Sequence, residues 1–203
     1  MSEFLWTMYD IFMSNRESFL QGTINTLIIS ITGTFIGLII GLLVAIVRTT
    51  PQPKKIMPQI IDGLIKWLLS AYISIFRGTP MIVQAMVIFF GTSIVTGIDL
   101  TSLQAALIVV SINTGAYMSE AVRGGIISVD NGQYEAAQAI GMSHWQIMSQ
   151  VVMPQAFRNV LPSIGNEFVV NIKDTSVLNV ISMNELYFTT NTDRKSTRLN
   201  SSH

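Results

Sequence analysis

Long uncharged stretches alternate with short polar breaks along this chain. The longest lies between Glu17 and Arg48, where thirty consecutive residues carry no charge. About 20 predominantly apolar residues are enough to span a bilayer as an α-helix. Residues 27–47 are therefore predicted to form a transmembrane helix.

A stripe of small residues runs along this first span. Gly33, Gly37 and Gly41 recur every four residues, with Ser30 and Ala45 on the same stripe. Small residues at this spacing let a second helix approach closely. The alternative is that the glycines only reflect the general frequency of glycine in membrane helices.

Further apolar segments follow, interrupted by helix-breaking residues. They are residues 56–76, 81–98, 105–126 and 158–188. The segment 56–76 carries Asp62 four residues before Lys66, the favourable helical order, and is predicted to lie at the membrane interface or to begin a span. A break or kink is expected between Gly78 and Pro80, because proline removes a backbone donor. The pattern predicts an all-α membrane protein with about four to five spans.

Basic residues indicate the orientation in the membrane. They follow the first span and flank the polar segment 130–154, at Arg48, Lys54, Lys55, Lys66, Arg123 and Arg158. The turn near residue 99 carries only Asp99. Because positive residues favour the cytoplasmic side, the N-terminus and the turn near residue 99 are predicted outside. The segments 48–66 and 130–154 are predicted inside.

Composition excludes several classes of function. Of the residues 49% are hydrophobic and 12% are charged, about half the charged share of a soluble domain. The formal charge is zero, so nothing suggests nucleic acid, and the absence of cysteine excludes thiolate chemistry. The only histidines are His144 and His203, which argues against a histidine metal site or a catalytic triad. No GxxxxGK[ST] pattern occurs, so the chain is not expected to hydrolyse ATP itself.

The polar segment 130–154 is predicted to be a helical hairpin. Asp130 and Gln133 fit a capping box for a first helix, and Gly141 fits the left-handed position that ends it. Ser143 and Gln146 fit a second capping box. A new span is expected to begin at Pro154. His144 is predicted to be exposed on this hairpin, and an ordinary loop helix is the alternative interpretation.

The hairpin carries the pattern of a known family. "EAAQAIG" is followed nine residues later by Val151, then by Met153 and Pro154. This is similar to the EAA loop of ABC importer permeases: Glu-Ala-Ala, three residues, Gly, nine residues, Ile, one residue, Leu-Pro. The stretches "FRGTPMIVQ", "SINTGAYMSEAVRGGI" and "NEFVVNIKDTSVLNVISMNEL" resemble the polar amino-acid permease subfamily. The likeness covers residues 18–192 and is greatest to glutamine permeases of Gram-positive bacteria.

The resemblance implies a fold and a set of partners. The fold is the type I ABC importer transmembrane domain, in a homomeric or heteromeric permease dimer within the membrane lipid. A cytoplasmic ATPase uses ATP and Mg, an external binding protein delivers the amino acid, and this chain binds no cofactor. The hairpin is the coupling helix that docks in a groove of the ATPase. The coupling residues implied are Glu135, Ala136, Ala137, Gly141 and Pro154.

The resemblance also bears on the end of the chain. Such permeases have one further C-terminal span, which begins where this sequence turns into the polar stretch "DRKSTRLNSSH". Residues 1–192 are therefore expected to form the permease domain. Residues 193–203 are expected to be a non-native or disordered tail on a truncated chain.

Polar residues within spans are functional candidates, because they are costly in lipid. Asn113 and Glu120 are seven residues apart on one helix face and are predicted to line a path for a zwitterionic amino acid. The alternative is that Glu120 pairs with Arg123 or Arg77 and holds a gate. Lys173 and Asp174 are adjacent and are predicted to have separate partners, while Glu167 and Asn171 are further candidates.

Two other functions compete with an ATP-driven importer. A self-contained secondary transporter or channel also has broken spans and buried charges, and an inactive fragment is the third possibility. The substrate is predicted to be glutamine-like, with glutamate, arginine, histidine and cystine left open.

Overall fold

The structure is a computed structural model that describes residues 15–51 and 56–181, with Trp6, Tyr9 and Met13. The predicted tail 193–203 lies outside the described residues, and so do residues 182–188 of the last apolar segment. The helices, in chain order, are α1 Arg16–Thr49, α2 Ile56–Gly78, α3 Met81–Thr96, α4 Ser102–Ile127, α5 Asn131–Ala139, α6 His144–Ile147, a π-helical segment Met148–Val152, α7 Met153–Asp174 and a 3₁₀ segment Thr175–Ile181. The described residues contain no strand, so the all-α prediction is confirmed.

Three of the described helices are long and apolar enough to cross a membrane. They are α1 with 34 residues, α2 with 23 and α4 with 26. The apolar helix α3 has 16 residues, fewer than the roughly 20 that a full crossing needs. Only 6% of the most apolar stretch of α2 is buried within the chain. Most of the surface of this stretch is therefore available to lipid or to another chain.

Proline and glycine set the breaks between these helices, as predicted. Helix α2 ends at Gly78 and α3 begins directly after Pro80, because proline has no backbone N–H to continue the helix. Beyond α3, Gly97 has a φ of 70°, a left-handed conformation that costs glycine little. Ser93 Oγ donates a hydrogen bond of 2.6 Å to Asp99 Oδ1 and closes the turn near residue 99.

The chain divides into two compact units, each with its own core. The first unit consists of the described residues within Met1–Gly33, Met81–Val110 and Val170–His203. Its buried apolar residues are Ile29, Ala85, Ala105, Ala106, Val109, Val110, Leu178 and Ile181. Ser102 Oγ donates to the Ile181 carbonyl at 2.8 Å, which ties the start of α4 to the 3₁₀ segment.

The second unit contains Thr34–Pro80 and Ser111–Val169. Within it α1 and α4 approach closely at the predicted small-residue stripe. A Cβ atom on Gly37 would lie 2.6 Å from Thr114 Cβ, and one on Gly41 would lie 2.5 Å from Met118 Cβ. Real Cβ atoms essentially never come this close, so the stripe has a packing function at these two positions.

Helix α7 begins at Met153, one residue before Pro154, where a new span was expected to begin. Helical structure is continuous from His144 through the π-helical segment into α7. The Met153 amide donates to the Met148 carbonyl, five residues back. Pro154 has no backbone N–H group to donate. A π-helical turn before it is one way in which a helix accommodates this missing hydrogen bond. The hairpin's second arm and α7 are therefore one structural element.

Candidate functional site

The first arm of the hairpin is capped by Asp130, as predicted, but not through a capping box. The Asp130 carboxylate accepts a hydrogen bond of 2.6 Å from the Gly132 amide. The Gln133 amide donates instead to the Asp130 carbonyl at 3.0 Å. The prediction of a box with Gln133 is wrong, because the carboxylate of a short aspartate side chain bonds the backbone two residues on.

The turn of the hairpin is a Schellman motif centred on Gly141. Its φ is 86°, the left-handed conformation that was predicted. The Met142 amide donates to the Ala137 carbonyl at 3.2 Å, and the Gly141 amide donates to the Gln138 carbonyl at 3.0 Å. These two bonds satisfy carbonyl groups that a helix end otherwise leaves unpaired.

The second arm begins with the capping box that the sequence predicts. The Ser143 amide donates to Gln146 Oε1 at 2.8 Å. The Gln146 amide donates to Ser143 Oγ at 3.4 Å. Together with the Schellman turn, this box fixes the backbone between the two arms, so the hairpin is rigid at its tip.

A small core joins the two arms. Its buried residues are Val129, Ala137, Ile147, Val152 and Ala156. Tyr134 Oη and His144 Nδ1 lie 2.9 Å apart and share a hydrogen bond across the arms. The prediction that His144 is exposed is wrong, since the side chain is half-buried. The sequence gives no local signal for this bond, which joins residues on two helices.

The tip and outer face of the hairpin are left open. Ile140 is 79% exposed and Trp145 is 65% exposed, and both lie beside the Gly141 turn. The five predicted coupling residues occupy different places. Glu135, Ala136 and Pro154 are exposed, Gly141 forms the turn, and Ala137 lies in the core. The exposed surface of the hairpin therefore includes a carboxylate and two large apolar side chains.

On α4, which precedes the hairpin, the carboxylate of Glu120 lies between two arginines. Its Oε1 atom forms an ion pair with Arg48 Nη1. Its Oε2 atom accepts from Arg123 Nη2 at 2.8 Å and from Arg123 Nε at 3.0 Å. The pairing with Arg123 was the alternative predicted for Glu120. Arg48 was missed because it lies 72 residues away in the sequence.

The candidate residues Arg77 and Asn113 contact residues other than Glu120. The cation of Arg77 lies 5.3 Å from the ring centroid of Tyr117. The buried Asn113 side chain donates from Nδ2 to the Phe76 carbonyl at 3.2 Å. Asn113 and Glu120 therefore make different contacts, although both lie on α4.

Helices α2 and α4 are joined by two reciprocal hydrogen bonds. Tyr72 Oη of α2 donates to the Ile112 carbonyl of α4 at 2.6 Å. One residue on, Asn113 of α4 donates to the Phe76 carbonyl of α2. A buried amide that is not hydrogen-bonded costs roughly 1–3 kcal/mol, so the bond from Asn113 holds the two helices together.

Near the end of α7 the candidates lie in different environments. Glu167 and Asn171 are buried, Lys173 is exposed and Asp174 is half-buried. The carbonyl of Lys173 accepts from Ser176 Oγ at 2.7 Å.

Residues 56–197 match the protein family described as "Binding-protein-dependent transport system inner membrane component". The chain belongs to this family. It is 34% identical to the arginine transport system permease protein ArtQ of Bacillus subtilis, over 82% of this chain and 72% of that protein. It is 36% identical to the glutamine transport system permease protein GlnP of Escherichia coli, with the same coverage. A crystal structure of an amino acid ABC transporter with histidines matches it with a TM-score of 0.79 at 34% identity, over 92% of this chain and 82% of that one.

Family membership makes this chain a multi-pass inner-membrane transport component. Two cavities of the permease flank the end of α1, and both include Thr49 and Met148. The smaller cavity, about 150 Å³, is almost entirely apolar and includes Trp145. The larger one, about 450 Å³, includes Arg48 and Arg123. The end of α1 and the π-helical segment thus line the same two cavities.

Proposed function

We propose that this permease is the membrane subunit of an ABC importer that moves a polar amino acid into the cytoplasm. ATP and Mg are used by a partner ATPase. The hairpin is the observation that carries the proposal. It has a capped and rigid tip, it carries the EAA spacing, and it presents Ile140 and Trp145 as exposed apolar side chains. Large exposed apolar residues on a rigid element are typical of protein–protein contacts.

The remaining partners follow from the same proposal. An external binding protein delivers the amino acid, and two permease chains, identical or different, form the membrane unit. The N-terminus and the turn near residue 99 lie outside, with the hairpin inside, because basic residues favour the cytoplasmic side. The little-buried surface of α2 is then available to lipid and to the second permease chain.

The substrate is proposed to be glutamine or a similar polar amino acid. The arginine and glutamine permeases named above have similar identities to this chain, 34% and 36%, which supports a polar amino acid more strongly than glutamine alone. Glu120 is bonded to two arginines, which favours a role in holding helices α1 and α4 together. Asn113 and Glu120 remain the candidates for the substrate path.

Uptake into proteoliposomes tests the proposal. The permease is reconstituted with its ATPase and binding protein, and uptake of labelled glutamine, arginine and cystine is measured with and without ATP. We expect uptake only when ATPase, ATP and binding protein are all present. Uptake by the permease alone contradicts an ABC importer and identifies a secondary transporter.

A substitution at the turn of the hairpin tests the coupling role. The Gly141→Val variant is expected to bind the ATPase about tenfold more weakly, because a β-branched residue in the left-handed region costs roughly 1–2 kcal/mol. Gly141→Asn is the matched control, since asparagine tolerates this conformation. Binding is measured by pull-down of the ATPase with purified permease. Equal capture by the two variants would argue against docking through this turn.

A further inference from the structure

The larger cavity of the permease has the size and lining of a ligand site. Its volume of about 450 Å³ falls within the range of roughly 300–1,000 Å³ that small-molecule sites occupy. Its lining includes Arg48 and Arg123, which both pair with Glu120. The rest of the lining is mixed, with apolar side chains such as Ile126, Ile127 and Val152 beside polar ones. A ligand that fits this lining has an anionic group and an apolar part.

The two arginines and Glu120 together carry more positive than negative charge. Arg48 and Arg123 share a single carboxylate, that of Glu120. The three side chains are 21%, 38% and 21% exposed, in that order, so the surplus positive charge is partly removed from water. A partly buried charge without a counter-charge is unfavourable, and a bound anion supplies that counter-charge.

One further acidic residue lines this cavity. Asp130 is exposed, and its carboxylate already accepts the Gly132 amide at the start of α5. Because exposed charges are screened by water and salt, Asp130 opposes an anion only weakly. The charges of the less exposed arginines are screened less than the charge of Asp130.

The bonding pattern of the arginines leaves donors for an anionic group such as phosphate. Arg48 contacts Glu120 through Nη1, and Arg123 does so through Nε and Nη2. Each guanidinium thus keeps N–H groups that are not directed at Glu120. Guanidinium groups bind phosphate oxygens through strong charge-assisted hydrogen bonds.

We propose that this cavity binds the phosphate group of an anionic phospholipid from the cytoplasmic leaflet. The cavity lies where spans α1 and α4 end, on the predicted cytoplasmic side, so a lipid headgroup lies at its level. Basic pockets between transmembrane helices on that side are known sites for anionic headgroups. A soluble phosphate ester shares the phosphate chemistry, but it leaves the apolar side chains of the lining without a partner. The proposal does not depend on which substrate the permease transports.

Native mass spectrometry of the delipidated full chain tests the proposal. The protein is titrated in detergent with phosphatidylglycerol, with phosphatidylcholine, and with glycerol 3-phosphate as the soluble phosphate. We expect saturable binding of phosphatidylglycerol and much weaker binding of phosphatidylcholine. The Arg123→Gln variant is expected to bind phosphatidylglycerol about tenfold more weakly, the loss expected for a hydrogen bond to a charged group.

The controls separate this cavity from general surface charge. Arg123→Gln leaves Glu120 paired with Arg48, and Arg48→Gln makes the equivalent change from the other side if the first variant does not fold. Arg158→Gln removes an equal charge from an exposed residue that does not line the cavity, and it is expected to bind lipid normally. If glycerol 3-phosphate competes with phosphatidylglycerol and Arg123→Gln abolishes this competition, the cavity binds phosphate but a soluble ester is its source. Equal losses in Arg123→Gln and Arg158→Gln, or no loss in either Arg123→Gln or Arg48→Gln, overturn the proposal.

Discussion

The Gly41→Ala variant of the permease is expected to unfold well below the wild-type temperature or to fail to accumulate. The added Cβ would lie 2.5 Å from Met118 Cβ and 2.8 Å from the backbone carbon of Met118 and the amide nitrogen of Ser119. Backbone atoms within a helix cannot move aside as a flexible side chain can, so α1 and α4 must separate. Overpacking of this kind costs about 1–3 kcal/mol, and we expect the upper end.

Thermal unfolding in detergent measures this effect, and Gly63→Ala provides the matched control. Gly63 lies within α2, and a Cβ added there meets nothing within 4 Å. Because alanine has the higher helix propensity, Gly63→Ala is expected to leave stability unchanged or to raise it slightly. If both alanine variants unfolded like the wild type, the close approach of α1 and α4 at Gly41 would be refuted.

The second large effect is expected from Glu120→Gln. Glutamine keeps the size of the side chain but removes the only carboxylate that Arg48 and Arg123 share among the described residues. Two partly buried cations are then left without a counter-charge. Breaking a fully buried pair costs roughly 3–5 kcal/mol; since these side chains are 21–38% exposed, we expect about 2 kcal/mol.

Denaturant or thermal unfolding of three variants isolates this charge effect. Glu135→Gln makes the same change at an exposed residue of α5 and is expected to alter the free energy of unfolding by less than about 0.5 kcal/mol. Adding Arg123→Gln to Glu120→Gln removes one uncompensated cation, so the double variant is expected to recover part of the loss. A Glu120→Gln variant as stable as Glu135→Gln is the outcome that contradicts the role of the ion pairs.

Local signals in the sequence were sufficient for the helix breaks, the Gly141 turn and the Ser143 cap, although not for the bonding of the Asp130 cap. The break between α2 and α3 falls at Pro80, which has no N–H group to continue a helix. Gly141 adopts a positive φ at little cost because it has no Cβ. Ser143 and Gln146 are three residues apart, so their capping box depends on nothing outside the hairpin. The apolar stretch between Glu17 and Arg48 predicted α1 for the same reason, since span length and composition are properties of the segment itself.

Contacts between distant segments were beyond the reach of this reasoning. The sequence placed Arg123 beside Glu120 through helical spacing, but it gave no distance between Glu120 and Arg48. The bond from Tyr72 to the Ile112 carbonyl was missed too, because a helix-interior carbonyl has no sequence signature as an acceptor. His144 was wrongly predicted to be exposed, because its hydrogen-bond partner Tyr134 lies on the other arm of the hairpin.

The π-helical segment fixes the rotational phase between the hairpin and α7. Buried positions run Ile147, Val152, Ala156 and Val160, so the first interval is five residues and the later ones are four. Without the extra residue, an α-helix would turn everything beyond it by about 100° about the helix axis. The number of residues between Ile147 and Val152, more than their identity, therefore determines the rotation of α7 about its axis relative to the second arm of the hairpin. A single deletion there would shorten the nine-residue spacing of the EAA pattern and would also rotate the hairpin out of alignment with its own span.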